Sequence, residues 1–373
     1  MASAAALPET GPASGSGFAR TPHPAPRSAS ERAAILANPG FGTTFTDHMV
    51  GIDFDAEAGW HDPRVGPYGP VALDPAAAVL HYAQEIFEGL KAYRLADGGI
   101  ALFRPEANAA RFNASARRLA MPELPESLFV EAVHHQVLAD ADWFPTVEGG
   151  SLYLRPFMFA TEAFLGVRPA RKYKFMVIAS PAGNYFKSGA PAVSIWVSDY
   201  TRAAPGGTGA AKCGGNYAAS LVPTAEAFSR GHDQVLFLDA AEHRWIEELG
   251  GMNLFFVMAD GSLVTPPLGG TILPGITRES LIALARAEGL TVREERYAID
   301  QWRDDAASGR LLETFACGTA AVVTPVGKVA DRDGEFVIGG GGPGQLTQKL
   351  RARLVAIQRG EAPDPHGWVR RIT

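Results

Sequence analysis

Hydrophobic positions along this chain fall into short alternating runs broken by glycine- and proline-rich turns, with stretches of helical spacing between them. "FGTTFTDHMVGIDFD" alternates as a strand does, and "GWHDPRVGPYGPVALDP" after it is a loop rich in turn formers. "AVLHYAQEIFEGLKAYRLADGGIALFRP" predicts a helical segment closed by Gly89, then a hairpin turning at Asp97-Gly98-Gly99. Helical spacing returns in "EANAARFNASARRLAMP", stopping before Pro122, and in "SLFVEAVHHQVLADADWF". "SLYLRPFMFATE" and "YKFMVIAS" are β-rich.

The second half opens with the strand "APAVSIWVSDY" and the glycine-rich "PGGTGAAKCGGNYAAS", then predicts a helix from "NYAASLVPTAEAFSRG" and a strand "QVLFLDA". "MNLFFVMADGSLVTPP" reads as a hairpin turning at Asp260-Gly261. "GITRESLIALARAEGL" predicts a helix with Thr277 as N-cap and Gly289 as its stop. Two strands around a tight turn are expected in "LETFACGTAAVVTPVGKV", and a last helix in "GQLTQKLRARLVAIQRG". A length of 373 residues exceeds what one core usually organises and points to two domains over one large one. The expected division is a disordered tail over 1–35, a smaller α/β domain over 36–183, a loop over 184–192 and a larger domain over 193–373.

Composition narrows the class without naming a function. Hydrophobic residues at 46% and charged residues at 20% suit a globular enzyme. A net charge of −6 without a long basic run gives no reason to expect nucleic acid or an anionic membrane surface. Two cysteines, Cys213 and Cys317, are too few for a disulfide framework and lack zinc-site spacing, so a reducing cytoplasm is expected. No apolar run reaches transmembrane length.

Lys212 lies between two glycine runs, as a wet lysine on a flexible loop would, or one presented to a ligand by closely approaching backbone. A phosphate-binding P-loop needs glycine before the lysine and Ser or Thr after it, where Ala211 and Cys213 stand. Gly339, Gly341 and Gly344 satisfy GxGxxG, but no strand with an acidic residue follows, so a plain loop before a helix is expected. The nine histidines give no metal-binding pair, and Cys317 in "TFACGTAAV" reads as a small buried residue more readily than as a nucleophile. Lysine chemistry remains. A partly desolvated lysine forms a Schiff base with an aldehyde, and pyridoxal phosphate is the natural aldehyde cofactor, requiring partners for its ring nitrogen, phenolic oxygen and phosphate. The helix start at Thr277 and the guanidinium of Arg111 are candidates for the phosphate.

"FEGLKAYR", "LFRPEANAARF", "LYLRPFMFATE", "GGTGAAKCGGNYAASL", "ELGGMNLFFV", "LPGITRESL" and "FACGTAAVVTPV", in this order, resemble the motifs of branched-chain amino acid aminotransferases, from about Phe41 to Trp368. The resemblance implies a mixed α/β, two-domain fold-type IV pyridoxal phosphate enzyme with its cofactor at the domain interface. It implies a homodimer and reversible ping-pong transamination between leucine, isoleucine or valine and 2-oxoglutarate. It implies Lys212 as the Schiff-base lysine and proton carrier, Tyr217 on the phenolic oxygen, Glu248 on the pyridine nitrogen, and Arg111, Ile276, Thr277 and Thr319 on the phosphate. For the substrate it implies Phe41, Phe87, Tyr153 and Tyr185 as walls, with Tyr82, Arg155, Thr319 and Ala320 recognising carboxylate. Taken singly, each aromatic would more often be core, and Glu248 could be a surface glutamate like its neighbour Glu247. Two positions depart from some members: Ala321 and Thr324 stand where a redox CxxC would be, and Gly251 stands for a threonine. D-amino acid transamination, aminodeoxychorismate lysis and non-catalytic ligand binding are the competing readings. "LYLRP" with "GTAAV" argues against the first two, and the presence of Lys212 and Glu248 against the third.

Overall fold

The structure, a computed structural model, describes residues 17–183 and 191–373. Two compact units result: Met1–Arg94 with Ile100–Asn184 and Arg371–Thr373, and Leu95–Gly99 with Tyr185–Arg370.

The first unit is built on an antiparallel sheet whose strands lie in the order Gly59–Pro67, His48–Asp55, Lys172–Ala182, Ser151–Ala160, Leu90–Arg94, Ile100–Phe103. The helices Pro105–Arg118 and Glu126–Ala139 bury their apolar faces against it, where the rings of Phe112, Phe129 and Phe175 meet at 5.4, 5.5 and 5.8 Å between centroids. Along Ser151–Ala160, Leu152, Leu154, Pro156 and Met158 are buried while Tyr153, Arg155 and Phe157 are only partly so. The period of two therefore gives this strand one face in the core and one presenting an arginine among aromatics.

Two expectations are corrected here. The second half of the expected disordered tail is ordered: Ala19–Arg20 pairs parallel with Arg64–Val65, and Ala29–Leu36 is a helix with a capping box in which Ser28 and Glu31 exchange hydrogen bonds. The helical segment expected to reach Gly89 stops at Tyr82, with Ala83 at φ +48°. Glu85–Phe87 instead pairs antiparallel with Phe157–Phe159, because sheet hydrogen bonds and full burial of Ile86 outweigh a helical spacing too short to nucleate by itself. Gly89 has a different purpose from a helix stop: a Cβ there would collide with the Tyr153 hydroxyl.

The second unit carries a mixed sheet ordered Ile246–Leu249, Gln234–Leu238, Val193–Val197, Val322–Asp331, Leu311–Gly318, Asn253–Met258, Leu263–Thr265, Val292–Glu294. All six residues of Asn253–Met258 are buried, as expected of a strand covered on both faces. Its hairpin partner Leu263–Thr265 follows the Asp260-Gly261 turn, with Gly261 at φ +82°. Trp302 on the helix Ile299–Ser308 packs among Leu254, Phe256 and Val329 in this core.

The expected helix from Asn216 onward is broken into Gly214–Ala218 and Leu221–Ser229. Ile276–Ala287 begins from Gly275, so Thr277 lies inside the first turn and is not the N-cap. Glycine is required there because the Asn253 side chain fills the Cβ position, its Cγ 3.2 Å away. Among the described residues no helix is long and apolar enough to cross a membrane.

Candidate active site

The loop around Lys212 is folded by one buried side chain. Asn216 donates from Nδ2 to the carbonyls of Thr208 and Ala211, both at 2.8 Å, and accepts from the Thr208 hydroxyl at 2.7 Å. These bonds curl residues 208–216 back on themselves and hold half-buried Lys212 with its Nζ 2.8 Å from the Tyr217 hydroxyl, to which it donates. The loop seats on the segment before the helix Ile276–Ala287: Ala210 N donates to Gly270 O at 3.1 Å, and a Cβ on Gly209 would strike the Thr271 backbone. Glycine is thus needed for close approach, while asparagine supplies the shape.

Glu248 sits on the strand Ile246–Leu249 and is buried. Its Oε1 accepts from the guanidinium of Arg202, itself buried, and from Leu273 N at 3.1 Å. Burial pushes its carboxyl up to about 7 against Arg202, the Leu273 amide and Lys212, all of which favour the charged form. The same Leu273 has its carbonyl held by Asn253 Nδ2 at 3.1 Å, so the acid and the approach to the helix Ile276–Ala287 are tied together. That helix starts without a side-chain cap, and its first residues Ile276 and Thr277 are buried. Thr319 and Ala320 form the turn after Leu311–Gly318, where Gly318 lies against Met252 and the Gly251 carbonyl. Lys212, Tyr217, Glu248, Ile276, Thr277, Thr319 and Ala320 all belong to the second unit.

In the first unit the structure brings together four of the expected substrate residues. Tyr153 and Phe41 meet edge to face at 5.1 Å, and the Arg155 guanidinium lies 4.7 Å from the Phe87 ring centre and 5.6 Å from that of Tyr153. Arg155 Nη2 donates to the Tyr153 hydroxyl at 3.3 Å. Tyr82 has its contacts elsewhere, its hydroxyl donating to Leu165 O and its ring beside Phe164. Tyr185 lies outside the described residues. Arg111 engages the fully buried Glu88 side-on, Nε to Oε1 at 2.7 Å and Nη2 to Oε2 at 2.8 Å, with Asn108 and Gly89 N also donating to Oε2. Glu88 therefore fixes the orientation of the Arg111 guanidinium through two charge-assisted hydrogen bonds.

Three candidate chemistries find no support. Cys317 is buried, which pushes its thiol up and keeps it protonated. The glycine run before the helix Gln345–Gln358 is no anion site, because the Glu313 carboxylate accepts from Leu346 N at 3.0 Å and Thr347 N at 2.8 Å. Among the described residues no cluster of His, Cys, Asp or Glu could hold a metal. Arg202, Asn216, Asn253 and Glu88 escaped the reading of the sequence. Asn216, Asn253 and Glu88 stand as polar residues inside apolar or glycine-rich motifs, a weak signal since such residues are rarely buried unless paired, whereas Arg202 in "SDYTRAA" carried no signal.

The donor set fits pyridoxal phosphate: a half-buried lysine bonded to a tyrosine, a buried acid for the ring nitrogen, and a helix start for an anion. Residues 85–329 match the family described as amino-transferase class IV. A branched-chain-amino-acid aminotransferase of Mycolicibacterium smegmatis is 57% identical over 352 residues, covering 93% of this chain and 96% of its own. A relative from Streptomyces coelicolor is 60% identical over 346 residues, 92% of this chain and 95% of its own. Among solved structures, an Escherichia coli branched-chain amino acid aminotransferase superposes with a TM-score of 0.72 at 30% identity, over 83% of this chain and 97% of that one.

Proposed function

The chain belongs to the class IV aminotransferase family, and from that premise we propose that it exchanges amino groups between branched-chain amino acids and 2-oxoglutarate by the residues described above. It is a pyridoxal phosphate-dependent transaminase of mixed α/β fold. The observation that carries the assignment of residues is the contact of Lys212 with Tyr217 on a loop seated beside the buried Glu248–Arg202 pair. When bound, pyridoxal phosphate supplies a ring that accepts the electron pair left at the substrate Cα.

Lys212 moves the proton at that carbon, and the Tyr217 hydroxyl orients its Nζ. Glu248 faces the ring nitrogen as a carboxylate and favours its protonated form. The amides of Ile276 and Thr277, with Thr319 and Arg111, hold the phosphate, Arg111 being kept in place by Glu88. Phe41, Phe87 and Tyr153 enclose an aliphatic side chain; Arg155 and the Thr319–Ala320 turn take carboxylates, including the second one of glutamate. The working form on this reading is a cytoplasmic homodimer, with no nucleic acid or membrane partner.

Absorbance of the purified holoenzyme tests it. L-leucine should convert the visible cofactor band to the amine form, and 2-oxoglutarate should restore it. A Lys212→Ala protein that keeps the band and full turnover would refute the assignment of Lys212.

A further inference from the structure

Glu247 and Glu248 are neighbours on one strand, both buried, and a strand sends successive side chains to opposite faces. Their surroundings differ. Glu247 has one carboxylate oxygen, Oε2, buried without a hydrogen-bond partner, and burial pushes its carboxyl up, which favours a neutral acid. Glu248 is in direct contact with Arg202, whose Nη2 also reaches Thr271 O at 2.8 Å and Gly209 O at 3.2 Å. One guanidinium end thus joins the acid, the loop that carries Lys212, and the segment leading to the phosphate helix.

We propose that Arg202 is a positioning residue that keeps Glu248 in its carboxylate form and fixes it relative to the Lys212 loop, so that the acid can hold a proton on the ring nitrogen of the cofactor. This rests on the assignment of Glu248 to that nitrogen made above. The charged groups acting on Glu248 are Arg202, Lys212 and Glu247: two cations that favour its ionised form and one acid that opposes it. The charge at the Lys212 nitrogen would vary as that group joined and left the cofactor's aldehyde carbon. Arg202 is the cation whose charge does not depend on the reaction, since a guanidinium stays protonated throughout. Without it, a fully buried carboxyl would take up a proton and offer the ring nitrogen no negative charge.

The test uses Arg202→Met, Arg202→Lys, Glu248→Gln and the double variant Arg202→Met/Glu248→Gln. Two quantities are read: the dissociation constant of pyridoxal phosphate, and the pH profile of the holoenzyme's visible band. Loss of one charge-assisted hydrogen bond predicts about a tenfold or greater rise in that constant for Arg202→Met. The band's pH profile should shift in the same direction as in Glu248→Gln, and Arg202→Lys should recover part of both changes. The double variant should be no worse than Glu248→Gln alone, because Arg202 acts through that carboxylate. It also removes both charges of the buried pair, so it folds if Arg202→Met alone leaves an intolerable charge.

Effects that multiply in the double variant would show Arg202 to be only a clip between two loops and would overturn the inference. So would an Arg202→Met profile unchanged beside a shifted Glu248→Gln profile. If Glu248→Gln itself matches the native protein in both readouts, the assignment of Glu248 fails, and this inference with it.

Discussion

Gly89 offers a sharp test of how the strand Ser151–Ala160 is built. A methyl group there would lie 3.0 Å from Tyr153 Cζ and overlap its hydroxyl oxygen. Gly89→Ala therefore forces the tyrosine to swing, which breaks the 3.3 Å bond from Arg155 and the edge-to-face contact with Phe41. Overpacking of this kind costs about 1–3 kcal/mol, offset by roughly 0.5–1 kcal/mol from the stiffer unfolded chain. The net of about 0.5–2 kcal/mol should lower Tm by about 1–8 °C, a kilocalorie being worth about 2–4 °C for a unit of this size. The larger effect falls on substrate: losing about 1.4 kcal/mol of positioning raises KM for L-leucine about tenfold. The visible cofactor band should stay in place, because Lys212, Tyr217 and Glu248 belong to the other unit. Steady-state kinetics with L-leucine, thermal unfolding and an absorbance spectrum report all three. Removing the hydroxyl in Gly89→Ala/Tyr153→Phe should recover most of the lost stability. Native KM and Tm in Gly89→Ala, or no recovery in the double variant, would refute the argument.

Asn216→Ala removes the three hydrogen bonds that a buried side chain makes within the Lys212 loop and should cost about 1–3 kcal/mol for each buried group left unsatisfied, with faster loss of cofactor on dialysis; native retention would show the loop to be shaped otherwise. Glu88→Gln removes a buried counter-charge of the Arg111 guanidinium and should destabilise the protein by about 3–5 kcal/mol in denaturant unfolding. Asp239 is pulled down to about 2: burial opposes its ionisation, but amide donors from Arg244, Glu242, Trp245 and Ala241 outweigh that. Its folded value is depressed, so its contribution is present above the unfolded value of about 4 and fades as pH falls toward the folded one. The gap in Tm between the native protein and Asp239→Asn should accordingly hold near neutrality and close in acid.

Much of this protein was legible in one dimension. The Lys212 loop, the aromatic strand with Arg155, the Asp260-Gly261 hairpin and the apolar run over 254–258 are local patterns, and local patterns are set by spacing and turn chemistry. Ordered motifs also carried the family, because a lysine, a tyrosine five residues on and an acid before paired glycines keep their chemistry whatever the surroundings. What the chain could not reveal were the partners brought from afar. Arg202 reaches Glu248 46 residues away, Asn253 reaches Leu273 20 residues on, and Glu88 meets Arg111 across 23. Each is a polar side chain that burial makes costly unless a specific partner arrives, and nothing in its own neighbours announces which. The same holds for Glu85–Phe87, where a helical spacing yielded to strand pairing with Phe157–Phe159, and for Gly275, whose glycine answers to the Asn253 side chain. Spacing along the chain determines which residues can form an element; the energy of burial and of long-range pairing decides which element forms and which acid stays charged.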